Sequence, residues 1–343
     1  MADASHDAGP RLAPRQNYAA IAAIVAALAC VPAVASALGE PFIVRVATRV
    51  TVFAMAAAAL NLVLGYGALV SLLHAGLLGI GGYVVCILSW HAFNGEAFGF
   101  GPLGFAGTQR LALSLPLAAL AGGLAAAAMG AVSLRTSGSY FIMITLAFNQ
   151  MLFYFFVGLQ KYGGEDGLQV LGSLDLIGLD PGKRVPFFYV CVAALAATLL
   201  LLQRIVDSRF GMVLRAAAQN ERRVIAVGIP PFRYKLAAFA ISGAIVALAG
   251  GLQATGQQFM SPASMSWTVS GDLVVMCVLG GLGTVWGPAV GAALFVLLEL
   301  VLSSQTTYWH LPFGLVIIAM AVFLRGGLMD LRHLWRRPVR ATP

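Results

Sequence analysis

The sequence predicts an all-α, polytopic transmembrane helical bundle of about eight to ten membrane segments, with Gly-broken or re-entrant helices among them. Three observations carry this expectation. Of 343 residues, 60% are apolar and only 10% are Asp, Glu, Lys or Arg, against about 45–50% and about 25% in soluble domains. The apolar residues gather in runs of about 20, the length that crosses a hydrocarbon core. Glycine and proline then crowd into the middle of two runs, where a membrane helix normally keeps its backbone bonds intact. The same composition excludes a soluble globule, and it excludes a disordered chain, which low hydrophobicity holds open.

In chain order, residues 1–16, with Pro10 and Pro14, read as a disordered tail. The first run, 18–38, ends at Ala35-Ser36-Ala37, which resembles a signal-peptidase site. Its apolar stretch exceeds the roughly 7–15 residues of a signal peptide, so an uncleaved first span is expected. Further runs lie at 43–64, 68–90, 110–133, 138–159, 185–206, 235–256, 272–302 and 310–325. The run 272–302 holds Gly280, Gly281, Gly283, Gly287 and Pro288 at its centre. Its halves are too short for two full spans, so it is expected to form a broken or re-entrant hairpin, which needs protein or a water-filled cavity around it. The glycines of 76–82 suggest a similar break in the third run. Small residues recur at four-residue spacing, Gly122, Ala126 and Gly130 in one run and Gly243, Ala247 and Gly251 in another; such rows let helices approach closely in lipid. The membrane domain is thus expected over 17–326, followed by a basic tail at 327–343.

Charge orients the chain. The net charge of +8 is too sparse for nucleic acid. Arg204, Arg209, Arg215, Arg222, Arg223, Arg233 and Lys235 crowd one connection, and Arg325, Arg332, Arg336, Arg337 and Arg340 crowd the C-terminal tail. The positive-inside rule therefore puts the 207–234 loop and both termini in the cytoplasm. Arg45 and Arg49, at the outer end of the second run, break the pattern and read as long side chains snorkelling to the interface.

Several chemistries are missing from the sequence. Cys30, Cys86, Cys191 and Cys277 sit in apolar runs without a CxxC or Cys/His cluster, which argues against a metal site or disulfide framework and for buried thiols. There is no GxxxxGK[ST] loop, and Lys161, Lys183 and Lys235 are the only lysines, so no nucleotide or other cofactor is expected in this chain. Neither HExxH nor a strand-to-helix G-x-S-x-G is present, so no catalytic residues are expected. An ion-coupled carrier needs ionisable groups at membrane depth. Glu299 and Asp272 are the candidates, and both read as interfacial.

The stretch from Asp207 to Gly228 is rich in Ala, Leu, Met, Gln and Arg, which favour helix. Ser208 is a candidate N-cap, and Gly228, ahead of Pro230-Pro231, a candidate C-cap. Val213, Ala217, Val224 and Val227 can form an apolar stripe flanked by Arg215, Arg222 and Arg223. Such a helix either lies on anionic lipid or docks in a groove of a cytosolic partner.

The polar residues inside the runs admit two readings each. Ser71 and His74 are either an inter-helix hydrogen bond or a gate. Thr145 and Asn149, four apart on one helical face, with Gln150 adjacent, are either inter-helix glue or pathway lining. Asn61 and Tyr66 flank the end of the second run, where Tyr66 suits an interfacial aromatic belt. Trp286 needs a partner for its N–H and is expected to pack against a partner chain rather than on a substrate.

Four blocks, in order over about 60 to 330, carry a family resemblance. The first is Asn61-Leu62-Val63-Leu64-Gly65-Tyr66-Gly67, with Ser71, His74-Ala75, Gly79-Ile80-Gly81 and Tyr83. The second is Gly138-Ser139-Tyr140-Phe141 with Thr145-Leu146-Ala147-Phe148, Gly163-Gly164 and Gly167-Leu168. The third is Ser208-Arg209-Phe210-Gly211, Leu214-Arg215-Ala216, Gly228-Ile229 and Tyr234-Lys235. The fourth is Leu279-Gly280-Gly281-Leu282-Gly283-Thr284-Val285-Trp286-Gly287-Pro288, ending in Arg325-Gly326-Gly327-Leu328. Together they resemble the branched-chain amino-acid permeases of bacterial ATP-binding-cassette importers, the M-type subunit.

The resemblance implies a multi-pass protein of the bacterial inner membrane, surrounded by membrane lipid. It implies a second permease subunit as partner in a heterodimer, two cytoplasmic ATPase subunits and an external solute-binding protein. It assigns ATPase docking to the loop around 209–228, including Arg209, Phe210, Gly211, Leu214, Arg215, Ala217, Glu221, Arg222 and Gly228. Asn61, Ser71, His74, Gly79, Gly81, Tyr83, Thr145 and Asn149 become the candidate pathway, with the glycine-broken segments near 79–83 and 280–288 as the moving parts of alternating access. Leu73, Leu77, Leu78 and Ala68-Leu69 depart from the family pattern and thin the aromatic content near that pathway. Urea or short amides therefore stand as alternative cargo, and an ion-coupled secondary carrier, which also uses broken helices, as the alternative class.

Overall fold

Helix α3 (Phe42–Leu64) runs through the middle of the protein, and from Val50 to Leu64 every one of its side chains is buried. A helix that is apolar all round belongs inside, and the run Ala54-Met55-Ala56-Ala57-Ala58-Ala59 supplies small side chains on every face. The structure is a computed structural model and describes residues 14–95, 107–171, 184–305, 308 and 310–323.

Before α3 come α1 (Pro14–Ala29) and α2 (Val31–Leu38), which meet at Cys30 and together form the first apolar run. After it come α4 (His74–Asn94), α5 (Leu111–Ser133), α6 (Ser139–Val157) and α7 (Arg184–Asp207). Two short helices follow, α8 (Arg209–Gln219) and α9 (Glu221–Ala226), then the long α10 (Pro231–Gln257), the short α11 (Trp267–Gly280), α12 (Gly287–Gln305) and α13 (His310–Phe323). A two-residue antiparallel pair, β1 (Leu168–Gln169) with β2 (Phe259–Met260), aligns Leu168 with Met260 near the C-terminal end of α4. Among the described residues, eight helices are long and apolar enough to cross a bilayer, the lower bound of the expected eight to ten. Of the expected tails, helix α1 already begins at Pro14, and residues 1–13 and 327–343 lie outside the described residues.

The two rows of small residues meet. A methyl group at Gly122 would strike the Ala247 side chain, one at Gly243 the Ala126 side chain, and one at Gly130 the ring of Phe239. Helices α5 and α10 therefore pack backbone to backbone, as small residues allow where lipid supplies no hydrophobic drive between helices.

The expected break at 76–82 is absent, because α4 is continuous from His74 to Asn94. Its glycines are notches. A Cβ at Gly76 would meet Leu152 and Asn149, at Gly79 Met265, at Gly81 the Ala247 carbonyl and at Gly82 Met260. A helical glycine costs only about 1 kcal/mol, so close packing on three neighbours can hold the helix intact. The non-helical backbone lies earlier, in the nine residues 65–73.

The run 272–302 is broken, but not into two equal short halves. Helix α11 starts earlier, at Trp267, and its 14 residues reach only about 21 Å at 1.5 Å per residue. Helix α12 has 19 residues and passes for a full span, so only the first half is re-entrant. Gly281 and Gly283 turn the chain between them with φ of 104° and 83°, which glycine adopts without a Cβ penalty. Gly280, Gly287 and Gly291 let the two helices touch at their backbones.

Of the four cysteines, Cys86, Cys191 and Cys277 are buried, and the Cys277 thiol donates to the Ala57 carbonyl at 3.1 Å. Cys30 is exposed at the α1–α2 junction, contrary to expectation.

Candidate translocation core and docking surface

The segment 65–73 returns into the bundle and delivers the first turn of α4 to its interior. The first N–H groups of any helix lack intrahelical partners, and inside a bundle each must find one. Here side chains from two other helices supply them. Asn149 on α6 accepts from the Gly76 N–H at 2.7 Å, and Ser270 on α11 accepts from the Ala75 N–H at 3.0 Å. Thr145 accepts from the Leu72 N–H, and Ser71 from the Leu73 N–H, both at 3.3 Å. Two of these caps also hold a second segment. Ser270 donates to the Leu72 carbonyl at 2.7 Å, and Asn149 donates to the Met265 carbonyl at 2.8 Å, in the turn Pro262–Met265 that precedes α11.

His74 closes the cluster. Its Nε2 lies 3.0 Å from the Ser242 hydroxyl on α10, and that hydroxyl donates to the Ala59 carbonyl at 2.6 Å. A serine has one proton to give, so Nε2 carries the hydrogen and donates, which links α4, α10 and α3. The structure thus brings Ser71, His74, Thr145 and Asn149 together around one helix start, all buried. Asn61 stands apart, donating to the Thr284 carbonyl at 2.8 Å and tying α3 to the 281–286 turn. Tyr83 is elsewhere on α4, stacked on Phe156 with ring centroids 4.3 Å apart. Gly79 and Gly81 lie within the unbroken α4 and pack against Met265 and the Ala247 carbonyl. Trp286 is buried inside this chain, so the expected contact of its ring with a partner chain does not hold. Sequence reasoning missed Ser242 and Ser270; a lone serine in an apolar run was the available signal.

At the far end of α3 the loop passes Tyr66, which is buried rather than in an aromatic belt. Burial raises its hydroxyl pKa, with the nearby Arg215 cation pulling the other way. Ala68 has φ of 53°, a left-handed conformation that costs a non-glycine residue about 1–2 kcal/mol. Ala68→Gly should therefore stabilise the protein by about 0.5–1 kcal/mol, after the greater unfolded-state freedom of glycine. Thermal unfolding in detergent checks this, and a lower melting temperature would contradict it.

The same end carries α8 and α9. Gly211, Leu214 and Ala217 are buried, as is Val224, so Ala217 and Val224 of the expected stripe pack inside this chain rather than facing lipid or a partner. Val213 is only half-buried, while Val227 is 77% exposed, Met212 60% and Ile225 57%. Arg209, Arg222 and Arg223 are exposed beside them. Arg215 instead braces the helices, donating to the Gly211 carbonyl at 3.3 Å and the Val206 carbonyl at 3.2 Å. Glu221 pairs with Lys235 at 2.7 Å, and Phe210 packs on Tyr234 with centroids 5.5 Å apart. Ser208 occupies the N-cap position, but its hydroxyl donates to the Ile205 carbonyl at 2.6 Å and caps nothing. The side-chain cap falls on Asn220, which accepts from the Arg223 N–H at 3.1 Å. Gly228 turns the chain after α9 with φ of 85°. A recess of about 390 Å³ lies behind these helices, walled by Ala68, Arg135, Gly138, Ala217, Glu221 and Lys235.

A multi-pass bundle with a re-entrant half-helix, an internally capped helix start and an apolar, basic two-helix lobe at one end has the build of a polytopic helical membrane protein of the transport class. The family described as "Branched-chain amino acid transport system / permease component" matches residues 42–329, and the chain belongs to it. It is similar to the "High-affinity branched-chain amino acid transport system permease protein LivM" of Salmonella typhimurium, 27% identical over 324 residues that cover 86% of this chain and 73% of that one. The LivM of Escherichia coli is 26% identical over the same lengths. The "Xylose transport system permease protein XylH" of Haemophilus influenzae is 29% identical over 163 residues, 45% of this chain and 42% of its own. No solved structure matches at a comparable level.

Proposed function

We propose that this permease component is the M-type subunit of an ATP-binding-cassette importer that carries branched-chain or related amino acids into the cytoplasm. The observation that carries this reading is the α8–α9 lobe. Its exposed Met212, Ile225 and Val227, ringed by arginines, form a surface suited to the groove of a partner, while the chain itself has no phosphate loop. Two separate ATPases bind there and supply the energy. A second permease subunit completes the pathway, and an external binding protein delivers cargo at the opposite end. The arginine-rich lobe and both termini then face the cytoplasm of a bacterial inner membrane. The amino-acid cargo follows what the LivM relatives are named for.

Alternating access requires the ATPases to bias two states through differential contact. Because α4 is unbroken, the yielding elements are the non-helical segments 65–73 and 281–286 rather than the glycines at 79–83. The first borders the recess behind the lobe at Ala68, and Asn61 ties the second to the end of α3.

The test uses the reconstituted complex. Ile225→Asp and Val227→Asp should each reduce uptake roughly 30-fold, as for an interface hot spot of about 2 kcal/mol, with normal insertion of the permease. Arg215→Ala should instead loosen α8 and reduce stability. Uptake unchanged in both aspartate variants would overturn the docking assignment.

A further inference from the structure

One ion pair lies where lipid should not find it. Arg49 on α3 donates to both carboxylate oxygens of Glu299 on α12, at 2.8 and 2.9 Å, across 250 residues of sequence. The two side chains remain 44% and 19% exposed. Arg49 is four residues, about 6 Å, from the midpoint of the 23-residue helix α3. Its guanidinium sits 5.5 Å from the Phe53 ring, one turn deeper into the span. Asp272 on α11 shares the field of this pair, with His310 at the edge.

An ionisable group at such depth faces the bundle interior or a water-filled cavity. A second observation says which. Helix α11 is the re-entrant half-helix, and backbone of that kind is not covered by lipid. Yet beside Asp272 its surface is open, for a Cβ at Gly271 would meet no atom within 4 Å, and Trp267 is 53% exposed. Polar, open and half-helical features therefore share one face, built from α3, α11 and α12.

We propose that this face lines the aqueous pathway and that Arg49, Glu299 and Asp272 form a station for a zwitterionic α-amino acid. The guanidinium takes the cargo carboxylate in place of that of Glu299, as a charge-assisted hydrogen bond, and the released Glu299, with Asp272, takes the ammonium. The resting ion pair keeps the station neutral when empty. The proposal rests on the importer reading above and names the cargo chemistry at a defined place.

The competing explanation is a plain α3–α12 staple, and exchanging the charges separates the two. In the complex with its second permease, ATPases and binding protein, Arg49→Gln and Glu299→Gln should each reduce uptake of radiolabelled leucine, isoleucine and valine roughly 30-fold or more, as for loss of a desolvated charge pair, with basal ATP hydrolysis retained. The double variant Arg49→Glu/Glu299→Arg keeps an ion pair between the helices. It should regain the melting temperature but not the uptake, because the charges are presented to the cargo in reverse. Wild-type uptake in the double variant, or in either single variant, would overturn the station and leave the importer reading standing. A second measurement is independent of uptake. In a Cys30→Ser background, Arg49→Cys should react with the membrane-impermeant cationic reagent MTSET, and a control Leu120→Cys on the lipid-facing side of α5 should not. Absence of reaction at position 49 would overturn the aqueous face. A wild-type complex that hydrolyses ATP but imports none of the three amino acids would overturn the parent reading, and the station with it.

Discussion

Gly81→Ala should cost about 3 kcal/mol or more and leave little folded protein after mild heating in detergent. The added methyl would land on the Ala247 carbonyl of α10, and the reciprocal position, Gly250, would meet the Leu78 carbonyl of α4 in the same way. Neither obstacle is a side chain that can rotate aside. Overpacking typically costs about 1–3 kcal/mol when side chains yield, and here two main chains, those of α4 and α10, must separate. The contrast is Gly314→Ala in α13, where the methyl meets nothing within 4 Å. Helix propensity should make that change neutral or stabilising by up to about 1 kcal/mol. Thermal unfolding of both variants beside the parent checks the pair. Equal melting temperatures for Gly81→Ala and Gly314→Ala would show that α4 and α10 do not meet as described.

This pair also explains why the sequence was legible in one place and misleading in another. The rows Gly122–Ala126–Gly130 and Gly243–Ala247–Gly251 repeat at helical spacing, so their meaning is local and can be read along one chain segment. The glycines of 76–82 have no such ambiguity in the structure, but in sequence the same residue signals a notch or a break. Which it is depends on Ala247, Met260 and Met265, far away in the chain. The break that does exist, 65–73, is stabilised by Thr145, Asn149 and Ser270, 73 to 195 residues distant. The α8–α9 lobe shows the same division. Its helices and the turn at Gly228 follow from composition and capping rules, whereas the burial of Leu214 and the exposure of Val227 follow from where α7 and α10 happen to lie. Arg49 and Glu299 were each visible as charges in apolar runs, but 250 residues of separation hide their pairing.

Why a permease tolerates polar groups at its centre follows from the second large effect, expected at Asn149. Its amide is the sole partner described for two buried main-chain groups, the Gly76 N–H at the start of α4 and the Met265 carbonyl ahead of α11. One side chain thereby fixes the two non-helical entries of the bundle against each other. Asn149→Ala leaves both groups unpaired. At about 1–3 kcal/mol for each of the two orphaned buried groups, the loss should reach about 2–6 kcal/mol. Asn149→Asp keeps an acceptor for Gly76 but, when ionised, has no hydrogen for Met265, so it should not rescue. Thr145→Val removes only the longer 3.3 Å bond from Leu72 and should cost about 1 kcal/mol. The order of melting temperatures, parent above Thr145→Val above Asn149→Ala, follows from these distances and partners alone. Uptake per folded molecule should fall in Asn149→Ala as well, because α4 and the re-entrant segment would no longer move as one unit. An Asn149→Ala protein with the parent's stability and transport would mean that these main-chain groups find other partners, and that the capped start of α4 is not what holds the two segments together.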